Sequence, residues 1–357
     1  MKYSVMRVKG LLPVLVAAAS MAGTQGAFAA PVGDALQRPA LQVRHPERSV
    51  LLSLARAGEP LLAVGERGVI VRSEDLGKTW KQVPSPVSVT LTMVRFADAL
   101  HGVAVGHGGT VLTTQDGGRS WQLRLDGKQL AAVALREASD DLQRADAERL
   151  VADGPDKPFL DVLLWDARRM LAVGAYGLAF YSPDGGVTWQ PWMSRLPNPR
   201  GMHWYVARRS GDSVLLAGEQ GVLARSDDAG TTFQALESPY RGSWFSGDMQ
   251  PGGQLTLAGL RGNLWQSQDA GKRWAAVPMP GPASIMASAQ TPEGDLLLAT
   301  QAGQVLRLQG AQVTPLNTVP LPSPAALLPM ANGQVLTVGV AGVVPVQSPV
   351  VAQGVRP

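Results

Sequence analysis

The chain has 357 residues, no cysteine, and 32 Lys and Arg against 28 Asp and Glu. The first thirty residues hold three of the bases and no acid, which leaves 29 bases against 28 acids in the remainder. Because this remainder is nearly neutral and has no Lys/Arg run longer than two residues, nucleic-acid binding is not expected. The lack of cysteine excludes a disulfide framework and a lipid-attached cysteine.

The N-terminal segment is typical of a cleaved secretory signal. Lys2, Arg7 and Lys9 precede an apolar run from about residue 10 to 23, and residues 27–30 read Ala-Phe-Ala-Ala. The run is shorter than the roughly 20 residues that a spanning helix requires. We therefore predict a signal peptide over residues 1–30, export to the periplasm, and no membrane-spanning segment.

A unit of about 41 residues repeats along residues 31–357. Its marker, in most units the glycine of a Val-Gly pair, recurs at intervals of 41, 68, 44, 41, 41 and 39 residues. The seven markers are Gly65, Gly106, Gly174, Gly218, Gly259, Thr300 and Gly339. Each unit has room for four short strands, which is the size of one propeller blade. The sequence thus predicts an all-β fold, a seven-bladed β-propeller of four-stranded antiparallel blades.

The two ends of the repeat region raise the question of how the ring closes. The seventh unit has three convincing strands, and a spare extended stretch over residues 40–46 precedes the first unit. We predict that residues 41–44 supply the outer strand of the last blade, since an open ring would expose sheet edges.

The long interval of 68 residues contains an insertion over residues 126–158, between the second and third blades. Apolar residues recur there every three or four positions, at Leu130, Ala134, Ala138, Leu142 and Ala145. This spacing predicts one amphipathic helix or a pair of short ones, ended by Gly154 and Pro155.

Five units carry a second motif, Ser/Thr-x-Asp-x-Gly-x-x-Trp/Phe, at a constant distance from the marker. Its aspartates are Asp75, Asp116, Asp184, Asp228 and Asp269. A hydroxyl and a carboxylate beside a tight turn can accept bonds from unpaired backbone N–H groups. Because a catalytic residue would not need five equivalent copies, we interpret these aspartates as structural.

The motif resembles the Asp-box, or BNR repeat, of sialidase-like propellers. The sevenfold "VGxxGxVxxSxDxGxxW" unit is similar to the photosystem II assembly/stability factor family and its exported bacterial relatives. That resemblance covers nearly the whole chain after residue 30. It implies a non-enzymatic propeller that helps a membrane protein complex assemble.

In such blades the loops between strands B and C share one face with the loops between strand D and the next strand A. The candidate partner-binding residues in these loops combine arginines with large aromatic side chains, the composition of protein-binding hot spots. They are Arg67, His107, Lys157, Tyr176, Arg200, His203, Trp204, Arg241, Trp244 and Arg261. For the tryptophans, burial in the innermost strands is the competing interpretation.

An enzymatic role is not expected. The Arg-Ile-Pro signature of sialidases is absent, although Glu66 and Glu219 could face each other across the ring as a glycosidase pair. The four histidines are scattered, so we expect no metal and no cofactor.

The leading hypothesis is a monomeric accessory or assembly factor for an envelope membrane-protein complex, for example a transporter. The alternative is a glycan-binding or sialidase-like propeller.

Overall fold

The computed structural model describes Met1 and residues 33–347. The predicted signal peptide over residues 1–30 lies outside the described residues apart from Met1. Within the part of the chain that is described, no helix is long and apolar enough to cross a membrane.

Strands follow one another in the order predicted for propeller blades, each sheet being antiparallel with neighbouring strands adjacent in sequence. Blade 1 consists of β1 (Leu51–Arg56), β2 (Leu61–Gly65), β3 (Ile70–Ser73) and β4 (Lys81–Val83). Blade 2 consists of β5 (Leu91–Phe96), β6 (Gly102–Gly106), β7 (Val111–Thr114) and β8 (Gln122–Leu125). Blade 3 consists of β9 (Phe159–Leu164), β10 (Met170–Gly174), β11 (Ala179–Ser182) and β12 (Gln190–Pro191).

The remaining blades repeat this order. Blade 4 consists of β13 (Trp204–Ser210), β14 (Ser213–Gly218), β15 (Leu223–Ser226) and β16 (Gln234–Ala235). Blade 5 consists of β17 (Trp244–Met249), β18 (Leu255–Gly259), β19 (Leu264–Ser267) and β20 (Ala275–Ala276). Blade 6 consists of β21 (Ile285–Gln290), β22 (Leu296–Thr300), β23 (Val305–Gln309) and β24 (Gln312–Pro315), and blade 7 of β25 (Pro324–Pro329), β26 (Val335–Gly339) and β27 (Gly342–Pro345). The seven-bladed fold is therefore confirmed.

The hydrophobic core lies between neighbouring sheets rather than in one central mass. In all seven blades the five residues that end strand B, such as Leu61–Gly65, are buried, because both faces of that strand are covered. One core cluster, for instance, joins Leu62 and Val64 of blade 1 to Leu91 and Leu112 of blade 2. The first strand of each blade is innermost and lines a central cavity of about 500 Å³.

The insertion between blades 2 and 3 forms two helices, as predicted: α1 (Gly127–Glu137) and α2 (Asp141–Asp153). The predicted apolar stripe is correct only in its first half, since Leu130 and Ala134 are buried. Because α1 ends at Glu137, α2 does not continue the helical phase of α1, so its buried face involves different positions. Leu142 is 71% exposed, whereas Ala147 is buried. The stripe through Ala138, Leu142 and Ala145 was therefore wrong.

The predicted closing strand at residues 40–46 is not observed. Residues 40–45 form no strand, and blade 7 has three strands among the described residues. The segment instead crosses blade 1, where the Gln82 side chain accepts from the backbone N–H of Val43 and donates to the carbonyl of Leu41. A 3₁₀ turn over Pro46–Arg48 then packs between β4 and β27. The chain therefore joins the first and last blades through a turn, not through a shared sheet.

Each of the five repeated aspartates occupies a separate turn between strands C and D. In the first, Asp75 accepts from the hydroxyl of Ser73 at 2.8 Å and from the backbone and hydroxyl of Thr79 at 2.8 and 2.6 Å. Ser73 also accepts from the N–H of Gly77, whose φ of 86° is left-handed. The other four turns repeat this bonding from Thr114, Ser182, Ser226 and Ser267.

Candidate functional site

The partner face, as we name the surface formed by the B-to-C and D-to-A loops, lies opposite the aspartate turns. In each B-to-C loop that forms a 3₁₀ turn, the chain leaves strand B at a glycine. A side chain at one of these glycines, Gly218, would collide with the backbone carbonyl of His203. This close approach holds the B-to-C loops against the D-to-A loops. Residues of consecutive loops therefore meet on one surface.

Four of these loops place a non-glycine residue in the left-handed backbone region. Arg67, Tyr176, Gln220 and Arg261 have φ values of 53°, 55°, 50° and 58°. Such a conformation costs a non-glycine residue on the order of 1 kcal/mol and is concentrated at functional sites. Three of the four, Arg67, Tyr176 and Arg261, are arginine or tyrosine, which are residue types that recur in binding hot spots.

Four predicted residues gather in one place, which we call the blade 3–4 patch: Lys157, Tyr176, Arg200 and His203. The Lys157 ammonium lies 5.7 Å from the centre of the Tyr176 ring, and that ring meets the His203 imidazole edge-on at 4.9 Å. Tyr176 is 64% exposed, so its ring is available to a partner. The patch thus combines a cation, a free aromatic face and an imidazole, none of them in the core.

Hydrogen bonds and an ion pair hold His203 and Lys157 of the patch in place. Nδ1 of His203 lies 2.9 Å from Oε2 of Glu219, which also accepts from the His203 backbone N–H at 3.2 Å. Lys157 is paired with Asp153 at the end of α2, at 2.7 Å, and its side chain is largely covered. The helical insertion therefore helps to build the patch.

Polar groups continue the patch toward blade 5. Nη1 of Arg200 donates to Oε1 of Gln220 at 3.2 Å, joining a D-to-A loop to the B-to-C loop of blade 4. The ring of Tyr205 lies 6.0 Å from that of His203 and 5.6 Å from that of Phe245. Burial, and secondarily the charge of Glu219, raise the pKa of the Tyr205 hydroxyl. The aromatic series runs from the exposed patch to the central cavity.

Four other predicted residues are exposed on the same face but belong to different loops around the ring. These are Arg67, His107, Arg241 and Arg261. The structure places them on the predicted surface without bringing them into contact with the blade 3–4 patch. They extend the polar part of the partner face.

Two predicted binding residues are core residues instead. Trp204 and Trp244 are 0% exposed and pack between blades 3 and 4 and between blades 4 and 5, respectively. Each stands at the first position of its innermost strand, where the corresponding residues Leu51 and Ile285 are also buried. The assignment of these tryptophans to a binding surface was therefore wrong.

Sequence reasoning missed a cluster of charges in the wall of the central cavity. Arg95 of β5 donates through Nε and Nη2 to both oxygens of Asp161, at 3.0 and 3.1 Å. Arg208 of β13 donates to the same carboxylate through Nη1 at 2.6 Å. Although burial opposes ionisation, the charges of Arg95 and Arg208 hold the pKa of Asp161 below its usual value. The sequence did contain a sign of this cluster, because each of the three charged residues interrupts an otherwise apolar innermost strand.

Among the residues that the structure describes, no three His, Cys, Asp or Glu side chains come together in a way that could hold a metal ion. The two glutamates considered as a glycosidase pair belong to blades 1 and 4, and Glu219 is bound to His203. The arrangement on the partner face is therefore one of aromatic rings and paired charges.

Comparisons with known proteins found similar propellers. The family model "Photosynthesis system II assembly factor YCF48" matches residues 72–143, and a search of curated protein sequences gave no match. A solved structure of YCF48 bound to a D1 peptide superimposes with a TM-score of 0.61 at 16% identity, covering 87% of this chain and 99% of the other. YCF48 from Cyanidioschyzon merolae gives 0.60 at 15% identity, covering 85% and 97%.

Other propellers are similar as well. The GH74 xyloglucanase from Xanthomonas campestris has a TM-score of 0.55 at 16% identity, over 80% of this chain and 50% of that enzyme. The fold and its partner face define the chain as a seven-bladed propeller with a polar and aromatic loop surface. Residues 72–143 match the YCF48 family model, and the two YCF48 structures share the fold of this chain.

Proposed function

We propose that this chain is an exported, non-enzymatic propeller that acts as an accessory or assembly factor for an envelope membrane-protein complex, for example a transporter. It binds its partner through the blade 3–4 patch and the exposed arginines around the partner face. The periplasm is its location in this proposal, since the N-terminal segment is typical of a secretory signal.

The observation that carries this proposal is the exposed Tyr176 ring between Lys157 and His203. An aromatic ring in a strained loop conformation, flanked by an ammonium group and an imidazole, is suited to enter a pocket of a protein partner. A YCF48 structure that holds a D1 peptide lends support, because that neighbour has the same fold. The identity of the partner is expected to differ, as only 16% of the aligned residues are identical.

Crosslinking in living cells tests the proposal. A photoreactive phenylalanine analogue is placed at Tyr176, and in a matched control at Val187, which is 67% exposed in the same blade but lies in an aspartate turn on the opposite face. We expect position 176 to crosslink to an envelope membrane protein and position 187 to give none of this product. Equal yields at both positions, or no protein adduct at 176, would contradict the proposal.

A second test uses substitutions. Replacing Tyr176, Arg200 and Arg241 together with alanine removes three exposed side chains and no core packing. We expect capture of the crosslinked partner to fall at least tenfold, a loss of about 1.4 kcal/mol or more, with an unchanged melting temperature. Retained capture would exclude this surface.

The glycan hypothesis is tested separately. The structural similarity to a xyloglucanase keeps carbohydrate binding as a second candidate. Under our proposal the protein hydrolyses no glycan, and Glu66→Gln and Glu219→Gln change nothing in a glycan-hydrolysis assay. Hydrolysis that is lost in either variant would favour the second candidate.

A further inference from the structure

The central cavity adjoins the partner face and has a composition of its own. Its volume of about 500 Å³ falls within the range of small-molecule sites, and all seven innermost strands contribute to its wall. At one end the wall carries the rings of Tyr205 and Phe245 with Leu52 and Met286. These residues share one position of the blade, the bulge after the first residue of strand A.

Deeper in the wall stand the two guanidinium groups that flank Asp161. The Arg95 and Arg208 side chains are 30% and 19% exposed, whereas the Asp161 side chain is fully buried behind them. Backbone N–H groups of Val162 and Ala207 complete the shell of Asp161, at 2.8 and 3.0 Å. Asp161 therefore neutralises one of the two arginines and leaves one positive charge in excess.

Both arginines keep donors in reserve. Arg95 uses Nε and Nη2 on Asp161, and Arg208 uses Nε on the Gly247 carbonyl and Nη1 on Asp161. Nη1 of Arg95 and Nη2 of Arg208 have no hydrogen-bond partner among the described residues. Both arginines line the cavity, so these donors are available to a ligand that enters it.

Asp248 is the nearby acid that could cancel the excess charge. Its Oδ2 is buried without a hydrogen-bond partner among the described residues. Burial raises the pKa of Asp248, and the attraction of Arg208 offsets this only in part. Arg56 and Arg209 add two further positive charges to the same wall. The cavity is thus positively charged at one end and aromatic at the other.

We propose that this cavity binds a small organic carboxylate that carries an aromatic or apolar body. The carboxylate would accept from Arg95 and Arg208, in the bidentate manner that guanidinium groups favour, and the body would lie between Tyr205 and Phe245. This site goes beyond the partner-binding role and does not depend on it.

Benzoate and benzamide are suitable probes, because they have the same shape and only benzoate is charged. Titration calorimetry and NMR of the full-length processed protein measure both. A ligand of this size is expected to bind with a Kd of about 1 mM, and benzamide at least tenfold more weakly. Equal affinities for the two probes, or no response to benzoate at about 20 mM, ~20 times that Kd, would overturn the proposal.

Two variants locate the site. Arg95→Gln removes one cavity guanidinium and is expected to weaken benzoate binding about tenfold or more; Arg119→Gln, which replaces an exposed arginine in an aspartate turn, should leave the Kd unchanged.

Since Arg95→Gln also removes a partner of Asp161 and could impair folding, Ala325→Phe provides an independent test. Ala325 occupies in blade 7 the bulge position that Phe245 occupies in blade 5, and both line the cavity. A phenylalanine at position 325 is therefore expected to fill part of the cavity. Unchanged benzoate affinity in a folded Ala325→Phe variant would place the binding elsewhere and overturn the proposal.

Discussion

At the scale of single residues, the repeated aspartate is explained by the turn in which it stands. A hydroxyl two residues before it and a backbone N–H four residues after it bind the same carboxylate oxygen in all five turns. The five carboxylates are each bonded within a separate turn, which is the arrangement expected of a structural residue. The number of copies thus pointed to the same structural role as the bonding within each turn.

These turns predict a specific acid sensitivity. Hydrogen bonds from the side chain and then the backbone of Thr232 lower the pKa of Asp228 to about 2. A group whose pKa is lowered by folding stabilises the protein above its unfolded pKa, and this stabilisation is lost as pH falls from about 4 to about 2. We expect Asp228→Asn to lower the melting temperature at neutral pH and to reduce the further decrease over that acidic range.

The matched control is Glu237→Gln in the same blade, an exposed carboxylate without a hydrogen bond to any described residue. Differential scanning calorimetry from pH 7 to about pH 2 measures both variants. Parallel melting curves of Asp228→Asn and the parent protein would contradict the role of the turn.

The buried charge cluster makes a second prediction at this scale. Asp161→Ala leaves Arg208 and Arg95 without their shared counter-ion in the cavity wall. Removing one partner of such a buried group costs about 3 to 5 kcal/mol. Urea denaturation should show this loss, and Asp161→Ala combined with Arg208→Met should recover part of it. A cost below about 1 kcal/mol, typical of exposed ion pairs, would show that solvent screens the cluster.

Trp204 and Trp244 illustrate what a sequence leaves open at the residue scale. Composition indicates that a tryptophan is energetically important, yet it suits a core and an interface equally well. Only the register of the innermost strand decided the matter, because the residue before the bulge faces the neighbouring sheet, whereas the bulge residue itself, Tyr205 or Phe245, lines the cavity. The bulge itself has no clear mark in the sequence.

At the scale of elements, strands were easier to predict than the helical insertion. Strand B is a compact apolar run that ends at a glycine in six of the seven units, whereas the helices are polar and more than half of their residues are exposed. A single apolar stripe was drawn across both helices. Ser139, Asp140 and Asp141 interrupt it, and Asp140 caps α2 through the N–H of Gln143. This capping sequence was the available sign of a second helix.

The start of α1 yields the prediction for this scale. Asp126 accepts from the N–H groups of Lys128 and Gln129 at 2.9 Å, and the Gln129 side chain accepts from the Asp126 N–H at 3.1 Å. Losing such a reciprocal cap costs about 1 kcal/mol. We expect Asp126→Ala to lower the denaturation midpoint accordingly, because α1 packs on the core through Leu130 and Ala134.

Asp140→Ala is the comparison, since it removes the cap of α2, which buries only Ala147. Its effect on global denaturation should be smaller, because this helix can fray without opening the core. Hydrogen exchange of the two helices distinguishes the cases. A larger effect of Asp140→Ala than of Asp126→Ala would reverse our view of which helix is anchored.

At the scale of the whole molecule, the repeat period was enough to predict the number of blades, but not how the ring closes. A spare extended segment indicates that the N-terminal chain joins the ring, yet its sequence does not state which sheet edge it meets. Closure depends on contacts between residues nearly 300 positions apart, and no local pattern encodes such a pairing. In the structure the turn at Pro46–Arg48 packs against the third strand of blade 7 and so joins the two ends of the ring.

Two glycines allow this closure to be tested. Gly342 has a φ of 79°, and a Cβ there would lie 2.6 Å from Cα of Arg48 and closer still to the carbonyl oxygen of Glu47. Gly310 has a φ of 58° and open space around it. Alanine incurs the strain of a left-handed conformation at both positions, on the order of 1 kcal/mol, but only Gly342→Ala forces the closing turn away from blade 7.

We therefore expect Gly342→Ala to lower the melting temperature clearly more than Gly310→Ala does, and to speed proteolysis at the N-terminal segment. The reason is that separating the first and last blades exposes sheet edges on both sides of the gap. Since the blades share their cores with their neighbours, such an opening weakens blades 1 and 7 together. Equal melting temperatures for the two variants would show that the turn at Pro46–Arg48 lies on a ring that is already closed without it.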